Sequence, residues 1–234
     1  MAPEPADTDL RRQSGPHVFV DDLDVPTLSE GDHHHLAKAL RVKDGDAITV
    51  CDGAGRWRTA AFGPMPVPVG PIIGVAAPQW PLRLACALTK ASKPEIVVQK
   101  ATELGVDEIV FFHGIRSIAR WDDAKVAKSM GRLARVAREA AMQSRRVTLP
   151  VVRFVADAQA LATEADWARA DFGGEPIRGA HRSIAIGPEG GWDPAEPDLF
   201  PTAVDLGPSV LRAETAAIAA TTLMAQHRHA ARDR

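Results

Sequence analysis

The stretch Ser183-Ile184-Ala185-Ile186-Gly187-Pro188-Glu189-Gly190-Gly191-Trp192 decides the fold of this chain. It has the pattern of a short apolar strand, a Gly-Pro turn and a following helix. The same pattern occurs again in Ala203-Val204-Asp205-Leu206-Gly207-Pro208-Ser209-Val210-Leu211-Arg212-Ala213-Glu214-Thr215. Open α/β sheets bind ligands in crevices at the carboxyl ends of strands, and glycine lets a ligand approach the backbone. The two turns therefore predict two backbone-lined crevices late in the chain.

The two glycine turns lack the sequence of a nucleotide-phosphate site. Neither G-x-G-x-x-G nor G-x-x-x-x-G-K-[ST] occurs. The first turn carries an acid, Glu189, where a phosphate site would place amide donors and a cation. A ligand with an adenine, a ribose and a cationic centre suits such a site better. The alternative is two tight connections without a ligand, with Glu189 facing solvent and Arg212 paired with Glu214. Two such turns, each with a charged residue, favour the ligand.

From Leu82 onward, predicted strands alternate with predicted helices. This alternation predicts an α/β fold, with a mostly parallel sheet and helices on both faces. The predicted strands are residues 82–88, 108–112, 151–155, 184–186 and 203–205. One predicted helix ends near Leu104, and others span 122–144, 158–170 and 211–229, with a further short helix opening at 193–196.

The first third of the chain predicts a small β-rich domain. Strands are predicted at 17–20, 47–52 and 56–62, with a short helix within 29–41 whose N-cap is Asp32. The proline-dense residues 63–81 predict an edge strand and a linker, because proline cannot donate to a central sheet ladder. The predicted organisation is a disordered tail at 1–15, a domain at 16–79 and a larger domain at 80–234.

The charge of the chain gives little reason to expect a polyanionic partner. The formal net charge is -2 over 234 residues, so a nucleic-acid surface has to be local. The predicted helix after Trp121 carries a candidate surface, because its basic residues recur at spacings of three and four: Lys125, Lys128, Arg132 and Arg135. A solvated helix face and a phosphate-binding surface for RNA explain this stripe equally well.

The cysteine and histidine patterns argue against a metal site. Cys51 and Cys86 lie far apart in apolar runs, which predicts buried, reduced thiols. The run His33-His34-His35 favours a partly exposed helix start, because consecutive helical residues point in different directions and no further ligand has suitable spacing. No signal peptide or long apolar span is evident, so a cytoplasmic protein is expected.

Several motifs together resemble the RsmE family of the SPOUT superfamily, whose members methylate N3 of a uridine in the 16S ribosomal RNA of the small subunit. The most specific is the pair Gly-Pro-Glu-Gly-Gly at 187–191 and Leu-Gly-Pro-Ser-Val-Leu-Arg-Ala-Glu-Thr-Ala at 206–216. Residues 100–106 and 138–144 resemble further family motifs. So do His35-Leu36, Leu40-Arg41-Val42 and Asp52-Gly53 in the front domain.

This resemblance implies a C-terminal SPOUT methyltransferase domain with a deep trefoil knot and an N-terminal PUA-like β-barrel for RNA. It also implies a homodimer with each active site near the subunit interface, and S-adenosyl-L-methionine as the cofactor, with no metal. The residues expected to bind the cofactor are Ile186, Gly187, Pro188, Glu189, Gly190, Gly191, Leu206, Gly207, Val210, Leu211, Arg212, Thr215 and Ala216.

The expected chemistry follows from the proton on uridine N3, which has to leave before the nitrogen becomes a good nucleophile. The site therefore has to stabilise the uridine anion or accept the proton. Arg212 is expected to do the first, and Glu189 or Glu214 to accept the proton or orient the arginine. The residues expected to bind RNA are Lys90, Lys93, Arg116, Arg132, Arg138 and Arg145.

Three alternatives stay open from the sequence. One is another SPOUT methyltransferase, acting on a ribose 2′-hydroxyl or on a different base. Another is an RNA-binding or assembly factor with a vestigial cofactor pocket. A nicotinamide oxidoreductase is the third, and the missing dinucleotide fingerprint disfavours it.

Overall fold

A computed structural model describes residues 15–89 and 93–232 of the chain. The predicted tail, apart from Gly15, and Lys90 lie outside the described residues. Among the described residues, those up to Pro78 together with Ala141–Leu149 form one compact unit. Those of Gln79–Ala140 and from Pro150 onward form a second compact unit. The domain bounds expected from the sequence stay a prediction.

The first unit contains a four-stranded sheet in the order β1-β2-β3-β4. Strand β1 pairs in parallel with β2, and the other neighbours are antiparallel. The proline-rich β4 lies at the edge, as predicted, where its missing amide donors disrupt no ladder. The elements are β1 (His17–Phe19), helix α1 (Glu30–His34) continued by a π-helical turn (His35–Ala39), β2 (Ala47–Cys51), β3 (Arg56–Ala61) and β4 (Val67–Gly74).

The N-cap of α1 is Ser29, so the prediction of Asp32 as the cap was wrong. Ser29 has an extended backbone, and its Oγ accepts a hydrogen bond from the Asp32 amide at 3.1 Å. The same hydroxyl donates to Asp32 Oδ2 at 2.7 Å. Asp32 is therefore the third helical residue, and it bonds the cap residue through both its amide and its carboxylate.

The first unit has an apolar core on both sides of β2. Val18, Ile48 and Val50 pack with Leu36 of the helical segment. The neighbouring Phe19, Cys51 and Trp57 pack in a separate cluster with Ala141 and Val147. Residues 141–149 thus belong to this unit through burial of Val147 as well as through the hydrogen bond from the Gly55 amide to the Val147 carbonyl, 3.1 Å.

The second unit is built on a six-stranded sheet in the order β10-β8-β9-β5-β6-β7. Every neighbouring pair is parallel, which confirms the predicted α/β class. Its strands are β5 (Arg83–Ala87), β6 (Glu108–His113), β7 (Val151–Asp157), β8 (Ala168–Pro176), β9 (Ser183–Ile186) and β10 (Ala203–Asp205). Its helices are α2 (Lys93–Glu103), α3 (Asp123–Gln143), α4 (Ala158–Ala162) and α5 (Ala213–Arg232).

Helices cover both faces of this sheet, as predicted. Alternate residues of a strand point to opposite faces. On one face, Leu84 packs with residues of the three long helices, among them Val98, Leu133 and Ala217. On the other face, Ala85 packs in the cluster that holds Leu161 of α4 and Phe200.

Two predicted helices in the second unit were wrong. The predicted helix 158–170 ends at Ala162, and β8 follows from Ala168. The alanine-rich sequence favours a helix, but pairing with β9 and β10 overrides that preference. The segment 193–196 opens no α-helix, and only a 3₁₀ turn at Pro197–Leu199 follows it.

Candidate functional site

The two glycine turns lie at the same edge of the parallel sheet. They follow β9 and β10, which are the two neighbours of β8 in the sheet, so both turns lie beside β8. Both turns line one cavity of about 210 Å³. Of the predicted cofactor residues, those of the first turn that line it are Ile186, Gly187, Pro188, Glu189 and Gly191. Those of the second turn are Leu206, Gly207, Val210, Leu211 and Ala216.

Three predicted cofactor residues do not line the cavity. Gly190 packs against Arg116, and a Cβ added at Gly190 would meet the Arg116 side chain at 3.4 Å. Thr215 is exposed on α5, beside the lining residue Ala216. Arg212 is exposed between the lining residues Leu211 and Ala213.

The first turn is shaped around the indole of Trp192. A Cβ added at Gly187 would lie 3.0 Å from this ring, so only glycine fits without a shift. The indole Nε1 donates to the Ala170 carbonyl at 2.9 Å. Gly191 has a φ of +72°, which favours glycine, and its amide donates to the Pro188 carbonyl at 2.9 Å. The ring therefore fixes the first turn against Ala170 of β8.

The second turn is fixed by the carboxylate of Asp205. Its Oδ1 accepts from the Gly207 amide at 2.7 Å, and its Oδ2 accepts from the Gly173 amide at 3.1 Å. One side chain thus ties the turn after β10 to the bend inside β8. Gly207 has a φ of +128°, a conformation that strains other residues.

A third wall of the cavity was missed from the sequence. It consists of Ala170, Asp171 and Phe172, which belong to β8. They were missed because the predicted helix ended at Ala170 and the following residues up to the next predicted strand were assigned to no element, so strand β8 was not predicted. Other lining residues not predicted are Trp192, Asp205, Ser209 and Ala213.

Two of the predicted catalytic residues, Glu189 and Glu214, lie beside the ammonium of Lys93, and the third, Arg212, is exposed. Glu189 of the first turn accepts a hydrogen bond from Lys93 Nζ at 2.8 Å. Glu214, at the start of α5, lies 3.4 Å from the same ammonium. The hydrogen bond with Glu189 raises the pKa of Lys93 above its usual value, against the opposing effect of desolvation. Arg212 has no hydrogen-bond or ion-pair partner for its side chain within residues 15–89 and 93–232.

Most predicted RNA-binding residues have protein partners. Lys93 contacts Glu189 as described above, and Arg116 pairs with Asp193 at 3.3 Å. Arg132 pairs with Glu95 at 2.6 Å while staying more than half exposed. Arg138 and Arg145 are partly buried and each interacts within the protein.

No cluster of three or more His, Cys, Asp or Glu side chains suited to a metal ion occurs in the described part of the chain. The ring of His33 instead lies against Phe62, with 5.0 Å between centroids. Both cysteines are buried. Among the helices of the described residues, none has the length and apolarity needed to cross a membrane.

Two family models match the chain. The RNA methyltransferase domain matches residues 76–225, and the RNA methyltransferase PUA domain matches residues 28–62. The first match contains the whole cavity, and the second lies in the unit with the four-stranded sheet. A PUA-like N-terminal domain is thus present, as the resemblance implied.

Curated relatives match along most of their length. The ribosomal RNA small subunit methyltransferase E of Mycobacterium bovis is 30% identical over 224 residues, which cover 85% of this chain and 86% of the relative. The protein of the same name from Bacillus subtilis is 28% identical, covering 82% of this chain and 87% of the relative.

Solved structures have the same fold. A putative methyltransferase of Legionella pneumophila, solved with bound S-adenosylmethionine, superposes with a TM-score of 0.75 at 25% identity and covers 89% of this chain and 96% of that one. A probable rRNA methyltransferase of Porphyromonas gingivalis has a TM-score of 0.72 at 26% identity, with coverages of 93% and 100%. The domain match, the relatives and the fold agree, and the chain belongs to the family of the ribosomal RNA small subunit methyltransferase E.

Proposed function

We propose that this protein transfers a methyl group from S-adenosyl-L-methionine to N3 of a uridine in the 16S ribosomal RNA of the small subunit. The observation that carries the proposal is the cavity between two glycine turns, with the unpartnered Arg212 beside it. The names of the relatives support the substrate, and the Legionella structure supports the cofactor. The uridine N3 position rests on the paired motif at 187–191 and 206–216.

The residues around the cavity fit this cofactor. Leu206 and Leu211 offer apolar sides for a purine ring, and Gly191 leaves its backbone open, since no atom lies within 4 Å of an added Cβ. The carboxylate of Glu189 provides a negative charge for a cationic ligand. When bound, the cofactor supplies an electrophilic methyl group on a sulfonium.

The chain's own residues would prepare the uridine for this transfer. The guanidinium of Arg212 is exposed and free to contact a uracil oxygen, and a fixed cation there stabilises the anion that forms when N3 loses its proton. Glu189 or Glu214 accepts that proton or orients Arg212. The turns hold the two substrates in line, which supplies a large part of the rate enhancement.

Four finer properties belong to the same proposal. The C-terminal domain carries a trefoil knot, and the chain divides into a PUA-like RNA-binding domain at 16–79 and a SPOUT methyltransferase domain at 80–234. The protein acts in the cytoplasm as a homodimer. The apolar Phe172 and Val210 support the dimer, because both line the cavity and are 71% and 93% exposed, a surface that a second subunit can cover.

The test is nucleoside mass spectrometry after incubating the protein with the cofactor and unmodified small subunits. We expect 3-methyluridine in the 16S RNA. A methyl group on a ribose or on another base contradicts the proposed position, and cofactor binding without transfer favours a binding factor.

Two variants test the proposed roles of Arg212 in methyl transfer and of Gly191 in cofactor binding. Arg212→Ala is expected to lose methyl transfer while binding the cofactor with unchanged heat in calorimetry. Gly191→Trp is expected to abolish that heat, because its side chain would occupy the cavity. Undiminished turnover by Arg212→Ala would remove the anion-stabilising role from this residue.

A further inference from the structure

Lys93 occupies a position that the local rules of helix stability disfavour. It is the first residue of α2, and a cation there opposes the partial positive charge of the helix N-terminus. An unfavourable local choice of this kind is expected where a tertiary contact or a function requires it. Lys93 makes such a tertiary contact, because its ammonium pairs with two carboxylates.

The two carboxylates come from two different elements: Glu189 lines the cavity, whereas Glu214 lies at the start of α5, next to the lining residue Ala213. Glu189 belongs to the first glycine turn and accepts a hydrogen bond from Lys93 Nζ at 2.8 Å. Glu214 follows the second glycine turn and lies 3.4 Å from the same nitrogen. The side chains of Lys93 and Glu214 are only 25% and 17% exposed, so water screens this contact less than a surface ion pair.

Two other basic residues among the described ones pair with other carboxylates. Arg132 pairs with Glu95, two residues after Lys93 on α2. Arg116 pairs with Asp193 on the far side of the first turn. Within the described residues, Lys93 is the cation that ion-pairs with carboxylates of both turns.

We propose that Lys93 is a positioning residue that holds the carboxylates of Glu189 and Glu214 together beside the cavity, and that it is not a contact for RNA phosphate. The consequence for methyl transfer rests on the proposed function, whereas the contact itself does not. Two carboxylates that share a site repel each other unless a cation lies between them. With Lys93 in place they keep fixed positions beside the cavity, from which one of them accepts the uridine proton.

The matched variants are Lys93→Met, which keeps the length of the side chain without its charge, and Lys93→Arg, which keeps the charge. Lys100→Met is the control, because Lys100 lies on the same helix and pairs only locally with Glu103. Three quantities are measured for each: kcat for methyl transfer, KM for the small subunit, and the salt dependence of RNA binding without cofactor.

A positioning role predicts a change in kcat alone. Lys93→Met is expected to lower kcat by about 10- to 100-fold, since a small displacement of a catalytic group has such an effect. KM and the salt dependence stay at the parent values, and Lys93→Arg restores most of kcat. A phosphate contact instead predicts a raised KM and a slope of log K against log salt that is smaller by roughly 0.7 to 0.9. That result overturns the proposal, and so does a Lys93→Arg variant as impaired as Lys93→Met.

A spectroscopic readout tests the contact without any methyl transfer. Ammonium protons held by carboxylates exchange slowly enough for their ¹⁵N signal to be seen by NMR at neutral pH. We expect such a signal from Lys93 in the parent, its loss in Lys93→Met and its shift in Glu189→Gln and in Glu214→Gln. A signal that neither glutamine variant moves would refute the contact. A parent protein with this signal but no methyl transfer would refute only the proposed function.

Discussion

At the scale of single residues, the tightest fit at the cavity is between Gly187 and Trp192. The indole takes the space that a Cβ at position 187 would need, and its Nε1 donates a hydrogen bond to the Ala170 carbonyl of β8. The indole therefore connects the first turn to the third wall of the cavity. A change of one methyl group at Gly187 acts on both.

Gly187→Ala is expected to weaken cofactor binding by about tenfold, because overpacking of this size costs on the order of 1–3 kcal/mol. The added methyl group pushes the indole away and loosens its bond to Ala170. Titration calorimetry with S-adenosylmethionine measures the change. Gly179→Ala is the control, since its Cβ would meet only His227 at 3.9 Å. Equal affinity in parent and Gly187→Ala would contradict the role given to this contact.

At the scale of elements, α3 has two positions at which substitutions are expected to change the stability of the protein in opposite directions. Asp122 caps this helix, with its Oδ1 accepting from the Lys125 amide at 2.8 Å. Gly131 lies inside the helix, and an added Cβ there meets no atom within 4 Å.

Asp122→Ala is expected to destabilise the protein by about 1 kcal/mol, the usual effect of losing a cap. Gly131→Ala is expected to stabilise it by a similar amount, about 0.8–1 kcal/mol, because alanine loses less backbone entropy in a helix. Urea denaturation of both variants beside the parent measures the changes. A stabilised Asp122→Ala or a destabilised Gly131→Ala would show that tertiary contacts, not helix propensity, control this element.

The end of β6 carries a pH-dependent contact. The Trp121 amide donates to His113 Nε2 at 3.1 Å. Burial, and then the positive charge of Arg120, lowers the pKa of His113 below its usual 6.5. The unfolded chain therefore binds a proton first as the pH falls, so this residue's contribution to stability is complete above 6.5 and decreases below it.

Lowering the pH from 7.5 to 5.5 is expected to reduce the free energy of unfolding more in the parent than in His113→Gln. Glutamine cannot titrate in this range, so the difference between the two proteins isolates the histidine. Urea midpoints at both pH values provide the measurement. Equal losses in the two proteins would remove His113 from the acid response.

At the scale of the whole molecule, attraction to RNA has to come from local charge, because the net charge is -2. Lys125 and Lys128 are exposed on α3, and within the described residues neither has an ion-pair partner. They suit phosphate contacts better than Lys93, which pairs with Glu189 at the cavity, or Arg116, which pairs with Asp193.

The double variant Lys125→Gln/Lys128→Gln is expected to weaken RNA binding and to reduce the slope of log K against log salt by roughly 1.5, for two lost phosphate contacts. RNA binding at several salt concentrations measures the slope. Lys100→Gln provides the control, since Lys100 pairs with Glu103. A slope equal to that of the parent would indicate that Lys125 and Lys128 form a solvated helix face and do not contact phosphate.

The sequence by itself determined the parallel α/β class, most strands and long helices, and the two glycine turns. These features depend on neighbouring residues: apolar runs, the Asp122 cap and glycines that only a turn accommodates. It also determined ten residues that line the cavity.

Only the tertiary structure decided two other features: strand β8 with Phe172, and the contact between Lys93 and Glu189. Lys93 and Glu189 are 96 residues apart in sequence. Strand β8 forms by pairing with β9 and β10, which are later segments of the chain. Local preference favoured a helix for the first residues of β8. Burial and pairing across the sheet outweighed it, because they act on residues that meet only after the chain has folded.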